Sequence, residues 1–279
     1  MRLLCLIAIA AGMCYAQRVN GSFERTLKVT GPVDLDLATD AGGIVVVPGP
    51  AGSVHIRGIL KAGDNWFGMS GVESRIRELE AHPPIEQNGN TIRVAVHDPS
   101  MLRNISMRLE VEAPPESRLR ARADSGGIDV RGLKGPVDCK TDSGGIHASE
   151  IAGEVRATAD SGGIHIRRVN GPVYAHGDSG GVEALEVTGA VDAGVDSGGI
   201  RISQAAPAPI KARTDSGGVT IILAGTGGYD IRAHANSGRI TAPEVTVRGT
   251  FSHHEINGRL RGGGPLVDVS ADSGNVEIR

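Results

Sequence analysis

The sequence predicts an all-β chain wound as a β-solenoid with about 18 residues per coil. Three observations predict it. A DSGG motif followed by Ile or Val recurs at a fixed interval, and apolar residues alternate with polar ones on both sides of each copy. The chain also has 41 glycines among 279 residues but only one Trp, three Tyr and three Phe. Such a composition indicates a thin core of small aliphatic side chains, repeated from coil to coil.

The DSGG motif marks one corner of each coil. Its aspartates are Asp124, Asp142, Asp160, Asp178, Asp196 and Asp215, so the spacing is 18 residues four times and then 19. Related copies begin at Asp40 (DAGG), Asn236 (NSGR) and Asp272 (DSGN). The last two copies are 36 residues apart, or two periods. We therefore expect a degenerate corner between them, at Ile256–Leu260 (INGRL).

Alternation within each unit predicts which side chains face inward. After the corner, one inward column is Ile128, Ile146, Ile164, Val182, Ile200 and Val219. On the return strand, another is Cys139, Ala157, Ala175, Ala193, Ala212 and Ala233. Because alanine lets the two walls approach closely, a flattened, narrow coil is predicted. The outward positions are polar and mixed in sign, which is typical of a solvated face.

The aspartates of the corner allow two interpretations. A reversing chain favours glycine where φ is positive, and an Asp carboxylate can accept an amide hydrogen two residues further on. Alternatively, the aligned carboxylates of Asp124, Asp142, Asp160, Asp178, Asp196 and Asp215 form a calcium ladder. Since Asn236 replaces Asp in one copy, charge is not needed at every coil. We expect turn acceptors and no bound metal or cofactor.

Histidines offer a second possible metal site. His147 and His165 share an outward column, and His253, His254 and Glu255 form a short cluster. No third ligand accompanies the first pair in the repeat pattern, so an exposed surface ladder is the simpler expectation.

Residues 17–117 are less regular and continuous with the solenoid, whose regular DSGG part is expected over residues 118–279. A short helix is predicted at about residues 70–80. Ser70 and Glu73 form a capping-box pair, and Val72, Ile76 and Leu79 form one apolar stripe. The Asn88-Gly89 pair predicts a hairpin.

Candidate contact residues lie in two places outside the repeat. Trp66, Phe67 and Met69 stand out in a chain so poor in aromatics: they either close the solenoid or form a ligand-contacting loop. Coil length varies at Ala205–Pro209, Ala224–Tyr229 and Gly262–Pro265. All three segments are expected at the corner opposite DSGG, which makes that edge a candidate for contact.

The amino terminus predicts secretion. Residues 1–16 combine Arg2, an apolar run and Ala16 before a cleavage position, as in a signal peptide. Acylation of Cys14 is an alternative, although Met13 is bulky for it. Cys139 is the one cysteine outside this leader, so no intramolecular disulfide is expected. A net charge of −3 and the lack of a basic run argue against a nucleic-acid partner.

The last strand is a further candidate for contact. Val276 and Ile278 are expected in a strand that nothing afterwards covers, which would leave unpaired backbone groups at a sheet edge. Self-association or addition to an envelope partner through this edge is predicted, with harmless fraying as the alternative.

The leader, the opening GSFERTLKVTGPVDLDL, the RLEVEAPPESRLRARADSGGI segment and the DSGG coils together resemble the bacterial "putative adhesin" family of unknown function. The resemblance implies an extracytoplasmic β-solenoid without agreed catalytic residues. A non-catalytic, adhesin-like structural or binding scaffold of the envelope is therefore the favoured function, with an envelope protein or surface polysaccharide as partner. The alternatives are an accessory protein of envelope-stress signalling and, third, a polysaccharide-acting β-helix enzyme.

Overall fold

The computed structural model describes residues 20–63, 71–225, 227–242 and 246–279, with the backbone alone for 246–251. The expected leader (1–16) and Trp66, Phe67 and Met69 lie outside the described residues. The strands are β1 Asn20–Lys28, β2 Asp34–Ala41, β3 Ile44–Pro48, β4 Ser53–Ala62, β5 Ile85–Asn88, β6 Thr91–Val94, β7 Ile105–Ala113, β8 Arg118–Ser125, β9 Ile128–Arg131, β10 Val137–Ser143, β11 Ile146–Ile151, β12 Val155–Ser161, β13 Ile164–Val169, β14 Val173–Ser179, β15 Val182–Val187, β16 Val191–Ser197, β17 Ile200–Gln204, β18 Ile210–Ser216, β19 Val219–Ile222, β20 Tyr229–Ser237, β21 Ile240–Thr241, β22 Thr246–Phe251, β23 Glu255–Leu260, β24 Leu266–Ser273 and β25 Val276–Ile278. Helix α1 spans Val72–Ala81, and a 3-10 turn spans Pro99–Leu102.

The strands of the described residues form two facing sheets, as a β-solenoid requires. The first sheet has the order β1-β4-β7-β3-β9-β11-β13-β15-β17-β19-β25-β21. The second has the order β22-β23-β20-β24-β18-β16-β14-β12-β10-β8-β2-β6-β5. From β8 to β19 each coil adds one strand to each sheet, parallel to the strand before it. The predicted all-β solenoid is confirmed.

The core is the narrow space between the sheets, and it contains the predicted columns. The Ile and Val column that follows the corner and the Ala column of the return strand are both almost wholly inaccessible to solvent. Cys139 lies in the Ala column, with 1% of its surface exposed. Burial raises the pKa of its thiol well above the ordinary value. This thiol is therefore a core side chain rather than a reactive one.

The N-terminal region extends both sheets in a different manner. Strands β1, β4 and β7 pair antiparallel at the end of the first sheet. Strands β5 and β6 form the predicted hairpin around Gly89, whose φ is 60°. Helix α1 buries the predicted stripe of Val72, Ile76 and Leu79.

The predicted capping box of α1 is wrong. The helix begins after Gly71, which has a left-handed φ of 76° and offers no side-chain cap. Ser70 lies outside the described residues, one position before this N-cap. Glu73 instead pairs with Arg77 one turn later.

The C-terminal coils do not stack in chain order, which corrects two expectations. Residues 256–260 (INGRL) are not a degenerate corner. They lie in β23, which pairs antiparallel with β20 and with β22 and so forms a hairpin at this end of the second sheet. The last coil, β24 and β25, lies between the coil of β18 and β19 and the coil of β20 and β21.

The expected uncovered final strand is therefore wrong. β25 pairs with β19 on one side and with β21 on the other. Val276 and Ile278 are buried, with 0% and 2% of their surface exposed. The prediction failed because it assumed that spatial order follows chain order.

The sequence of outward charges is consistent with this order. Along one outward column of the second sheet, adjacent residues are Asp36, Arg120, Asp138, Arg156, Tyr174, Asp192, Lys211, Asp268 and Arg232. In chain order, Lys211 would lie beside Arg232, and like charges directly opposite each other are destabilising. The inserted strand places Asp268 between them.

Overpacking tests the narrow core. We expect Ala175→Leu to lower the free energy of unfolding by about 1–3 kcal/mol, because the two walls leave no room for the added methyl groups. The matched control is His176→Leu, at the adjacent exposed position of β14, which should change it by less than about 0.5 kcal/mol. Cys139→Ala should cost less than about 1.5 kcal/mol. Chemical denaturation measures all three, and equal costs at Ala175 and His176 would contradict the assigned facing of the strand.

Candidate functional site

The DSGG corner is held by the backbone. The amide of Gly126 donates to the carbonyl of Ser143 in the next coil at 3.0 Å, and the amide of Gly144 donates to that of Ser161 at 2.9 Å. From inside, the hydroxyl of buried Thr141 donates to the carbonyl of Gly126 at 3.1 Å. This ladder ties each corner to the next.

The first glycine of each corner cannot carry a side chain. A Cβ on Gly144 would overlap the carbonyl oxygen of Gly126 in the preceding coil. The same overlap recurs at the other DSGG corners, and several of these glycines also have a positive φ, such as 146° at Gly162. The second glycine is less constrained, because a Cβ on Gly145 would meet its nearest neighbour atom at 3.4 Å.

Substitution of each glycine in turn tests whether the first is more tightly constrained than the second. We expect Gly144→Ala to lower the free energy of unfolding by about 2–4 kcal/mol, because the neighbouring coil must move away. Gly145→Ala, one residue later, should cost less than about 1 kcal/mol. Thermal and chemical denaturation of both variants provide the measurement. A smaller cost at Gly144 than at Gly145 would exclude the close approach as the reason for the motif.

The corner aspartates do not act as the expected turn acceptors. Asp160 is half-buried and the other five are exposed. Among the side-chain hydrogen bonds of the described residues, none is accepted by these six carboxylates. The reason is that the corner amides already donate to the neighbouring coil. Partial desolvation of the Asp124 carboxyl raises its pKa, and repulsion from Asp40 and Asp142 raises it further.

The calcium ladder requires carboxylates that converge on one point. In the described part of the chain, no three His, Cys, Asp or Glu side chains group closely enough to hold a metal ion. The aspartates follow one another along the edge at the coil spacing instead. Repulsion between exposed carboxylates at this spacing is on the order of 1 kcal/mol in water, which the stack tolerates.

Calcium removal tests the ladder. We expect no change in melting temperature on addition of EDTA or of Ca²⁺, because the corner ladder is made of backbone hydrogen bonds. Differential scanning calorimetry provides the measurement, and Asp160→Asn serves as the matched variant. A Ca²⁺-dependent rise of several degrees that Asp160→Asn abolishes would establish the ladder.

A groove on the first sheet contains the paired histidines. Its volume is about 500 Å³, and it is open to solvent along its length. The rings of His147 and His165 stack with centroids 4.9 Å apart and planes at 18°. Asp129 lies beside His147, and Nδ1 of His165 lies 3.4 Å from Oε2 of Glu183. The next outward column brings in Arg131, Ser149, Arg167 and Leu185.

Glu150 and Arg168, which have a left-handed backbone, line one edge of this groove, and Glu186 occupies the same position in the next coil. Glu150, Arg168 and Glu186 have φ of 60°, 55° and 58°, at the position where the first regular coil has Gly132. A non-glycine residue in a sparsely populated backbone region costs about 1–3 kcal/mol. Arg168 pairs with Glu150 at 2.7 Å, and Arg167 pairs with Glu186 at 3.8 Å. Exposed ion pairs of this kind contribute only about 0–1 kcal/mol to the free energy of unfolding. Stability alone therefore does not explain three charged side chains at these positions.

The second sheet also has an open groove, of about 670 Å³. Arg120 and Asp138 pair across it at 3.8 Å, and the guanidinium of Arg156 lies 4.3 Å from the ring centre of Tyr174. Its charges alternate from coil to coil without backbone strain at its edge. The groove of the first sheet, which we call the histidine groove, is therefore the better candidate site.

The segments of variable coil length do not join the histidine groove. The loops of variable length do come together, but around the buried Tyr229. Its hydroxyl donates to Oε1 of Gln204 at 3.1 Å and accepts the amide of Ala224 at 3.2 Å. Burial raises the pKa of this phenol. This part of the opposite corner closes the core rather than forming a free edge.

The cluster of His253, His254 and Glu255 lies at the turn between β22 and β23. The hydroxyl of Ser252 accepts the amides of His254 and Glu255 at 3.1 and 3.0 Å, which fixes the turn. This cluster is remote in the coil order from His147 and His165. Sequence reasoning missed the left-handed residues at the edge of the groove, because Glu and Arg carry no local signal for positive φ.

The architecture defines a repeat protein of the β-solenoid class with an open charged groove. In the described residues, no helix has the length and apolar character needed to cross a membrane. The chain belongs to the family described as Toastrack DUF4097, whose model matches residues 76–279. This confirms the resemblance to a family of unknown function.

Two solved structures match this chain, and the first of them shares its fold. A protein described as a putative adhesin from Bacteroides fragilis is 14% identical, with a TM-score of 0.51 over 92% of this chain and 97% of that one. A putative cell adhesion protein from Clostridium sporogenes is also 14% identical, with a TM-score of 0.28 over 92% of this chain and 98% of that one. No curated protein matches the sequence.

Proposed function

We propose that the protein is a non-catalytic, adhesin-like binding scaffold of the bacterial envelope, and that the histidine groove contacts a surface polysaccharide. One observation carries the proposal. Charged residues are kept in left-handed conformations at the edge of an open groove, where glycine suffices in the coil before. Backbone strain of this kind is concentrated at sites that bind.

The shape of the groove suits an extended ligand. It crosses several coils, and each coil presents the next side chain of the same column one strand spacing further along. Repeat proteins use such continuous surfaces for binding. Arg131, Arg167 and Ser149 offer hydrogen-bond donors, while Asp129 and Glu183 offer acceptors for hydroxyl groups.

The pairing of the charges supports ligand contact rather than catalysis. Asp129 pairs with Arg131 at 3.3 Å, and Glu183 lies 3.8 Å from Arg201. These pairs lie on the open surface, whereas a hydrolytic pair of acids needs a defined separation across a scissile bond. Mixed charge also disfavours nucleic acid, which requires a net basic surface.

The extracytoplasmic location rests on the leader proposed at residues 1–16. The description of the Bacteroides fragilis neighbour as a putative adhesin supports a role at the surface. The alternative function, an accessory of envelope-stress signalling, would require a protein partner in place of a polysaccharide.

Binding to purified envelope polysaccharides tests the proposal. We expect the paired change His165→Ala with Arg167→Ala to weaken binding at least tenfold in calorimetry, because it removes one ring of the stack and one cation of the groove. The matched control is Tyr174→Ala with Arg213→Ala on the outward face of the second sheet, which should leave the affinity unchanged.

The other results are equally informative. Equal losses in both variants would place the contact outside the histidine groove. Capture of one envelope protein by the intact chain, with no polysaccharide bound, would overturn the proposal and favour the signalling function.

A further inference from the structure

One coil of the solenoid fills a slot between two coils that are neighbours in sequence. The strands β19 and β20 are joined by residues 223–228, yet their coils lie two strand positions apart. The gap is filled in the second sheet by β24 and in the first sheet by β25. We call Leu266–Ile278 the inserted coil. Without it, both sheets would expose two strand edges at the slot.

The walls of the slot hold the inserted coil through its backbone on both sides. On one side, the amide of Gly217 donates to the carbonyl of Ser273 at 2.9 Å. On the other, the amide of Gly274 donates to the carbonyl of Ser237 at 3.1 Å. Two core side chains of β24, Val267 and Val269, are buried between the sheets. Removal would therefore expose both hydrogen-bonding edges and apolar surface.

Side chains make the slot specific for this segment. Asp268 lies between Lys211 and Arg232, so it separates two cations. The amide nitrogen of Asn236 donates to Oδ1 of Asp272 at 3.0 Å, and the amide of Arg239 donates to Oδ1 of Asn275 at 3.0 Å. The sequence that fits the slot best is therefore the inserted coil itself, whether from the same chain or from a second copy.

The connection to the inserted coil has the character of a hinge. Residues 261–265 join β23 to β24, and Arg261, Gly262 and Gly263 have φ of 48°, 92° and 93°. Three successive glycines allow the following coil to leave in more than one direction. A strand element on a short hinge loop is an arrangement in which identical elements can exchange between copies.

We infer that the inserted coil is exchangeable, and that two copies of this chain interlock by placing Leu266–Ile278 of each in the slot of the other. The partner is a second copy because the slot matches the charges and amides of this segment. This mode of assembly does not use the histidine groove, so it stands independently of the proposed function.

Cross-linking in trans tests the exchange. Arg213 and Ser270 are paired residues on adjacent strands, and neither is buried. In a Cys139→Ala background, one copy carries Arg213→Cys and a second, larger tagged copy carries Ser270→Cys. After mixing at elevated temperature and oxidation, we expect a disulfide-linked heterodimer on a non-reducing gel. The chain with both changes should form the bond within itself and confirm the geometry.

The matched control uses two coils that keep chain order. Arg156 and Tyr174 are paired residues on β12 and β14, so Arg156→Cys and Tyr174→Cys in separate copies report random collisions. Cross-linking of the first pair at no more than this background would overturn the inference.

A change in the hinge provides a second measurement. Deletion of Gly262 and Gly263 shortens the connection, so the inserted coil reaches a neighbour's slot more easily than its own. We expect the mass from light scattering to double. A folded monomer would contradict the inference, and if this variant does not fold, the cross-linking of the full chain decides.

Discussion

The close approach of successive backbones at the DSGG corner is the constraint on which the rest of the structure depends. At each corner the first glycine lies against the carbonyl of the corresponding glycine in the coil before, with no room for a Cβ. The glycine amide then reaches the serine carbonyl of the coil after it, at 2.8 to 3.1 Å. Because both sheets meet at this corner, its spacing brings their strands into register together. The aspartate of the motif is not part of this ladder, which explains why Asn236 can replace it.

The narrow core follows from the same geometry. With the walls joined at a tight corner, the return strand faces its partner with alanine or cysteine, and the larger Ile and Val side chains fill the remaining space. Most polar and charged side chains therefore lie in the outward columns. One outward column of the second sheet alternates acidic and basic residues from coil to coil, beginning with Asp36, Arg120, Asp138 and Arg156. The histidine groove differs, since its edge keeps charged side chains at positions where a glycine would avoid backbone strain.

The position of the inserted coil relates the stacking of coils within one chain to the proposed assembly of two chains. A parallel coil can pair with any corner whose glycine amide or serine carbonyl lacks a partner from a neighbouring coil. The strand pairing at successive corners is nearly identical. Backbone pairing alone does not therefore choose the order of the coils. Two side chains agree with the observed order: Asp268 lies between Lys211 and Arg232 in register, and Asp272 accepts a hydrogen bond from Asn236. The same degeneracy that lets a coil insert out of chain order lets it insert into a second copy.

The sequence by itself determined the solenoid, the coil length, the facing of the columns, the burial of Cys139, the helix stripe and the hairpin at Gly89. These features come from local alternation and from turn residues, so short stretches of chain specify them. Only the tertiary structure decided where the last coil lies, and hence that Val276 and Ile278 are core residues rather than an edge. It also decided that β23 belongs to a hairpin and that Glu150, Arg168 and Glu186 adopt positive φ. The order of the coils and the positive φ of these three residues depend on which strands lie next to each other in the stack. Because the corners are nearly identical in sequence, the local sequence does not specify which strands become neighbours.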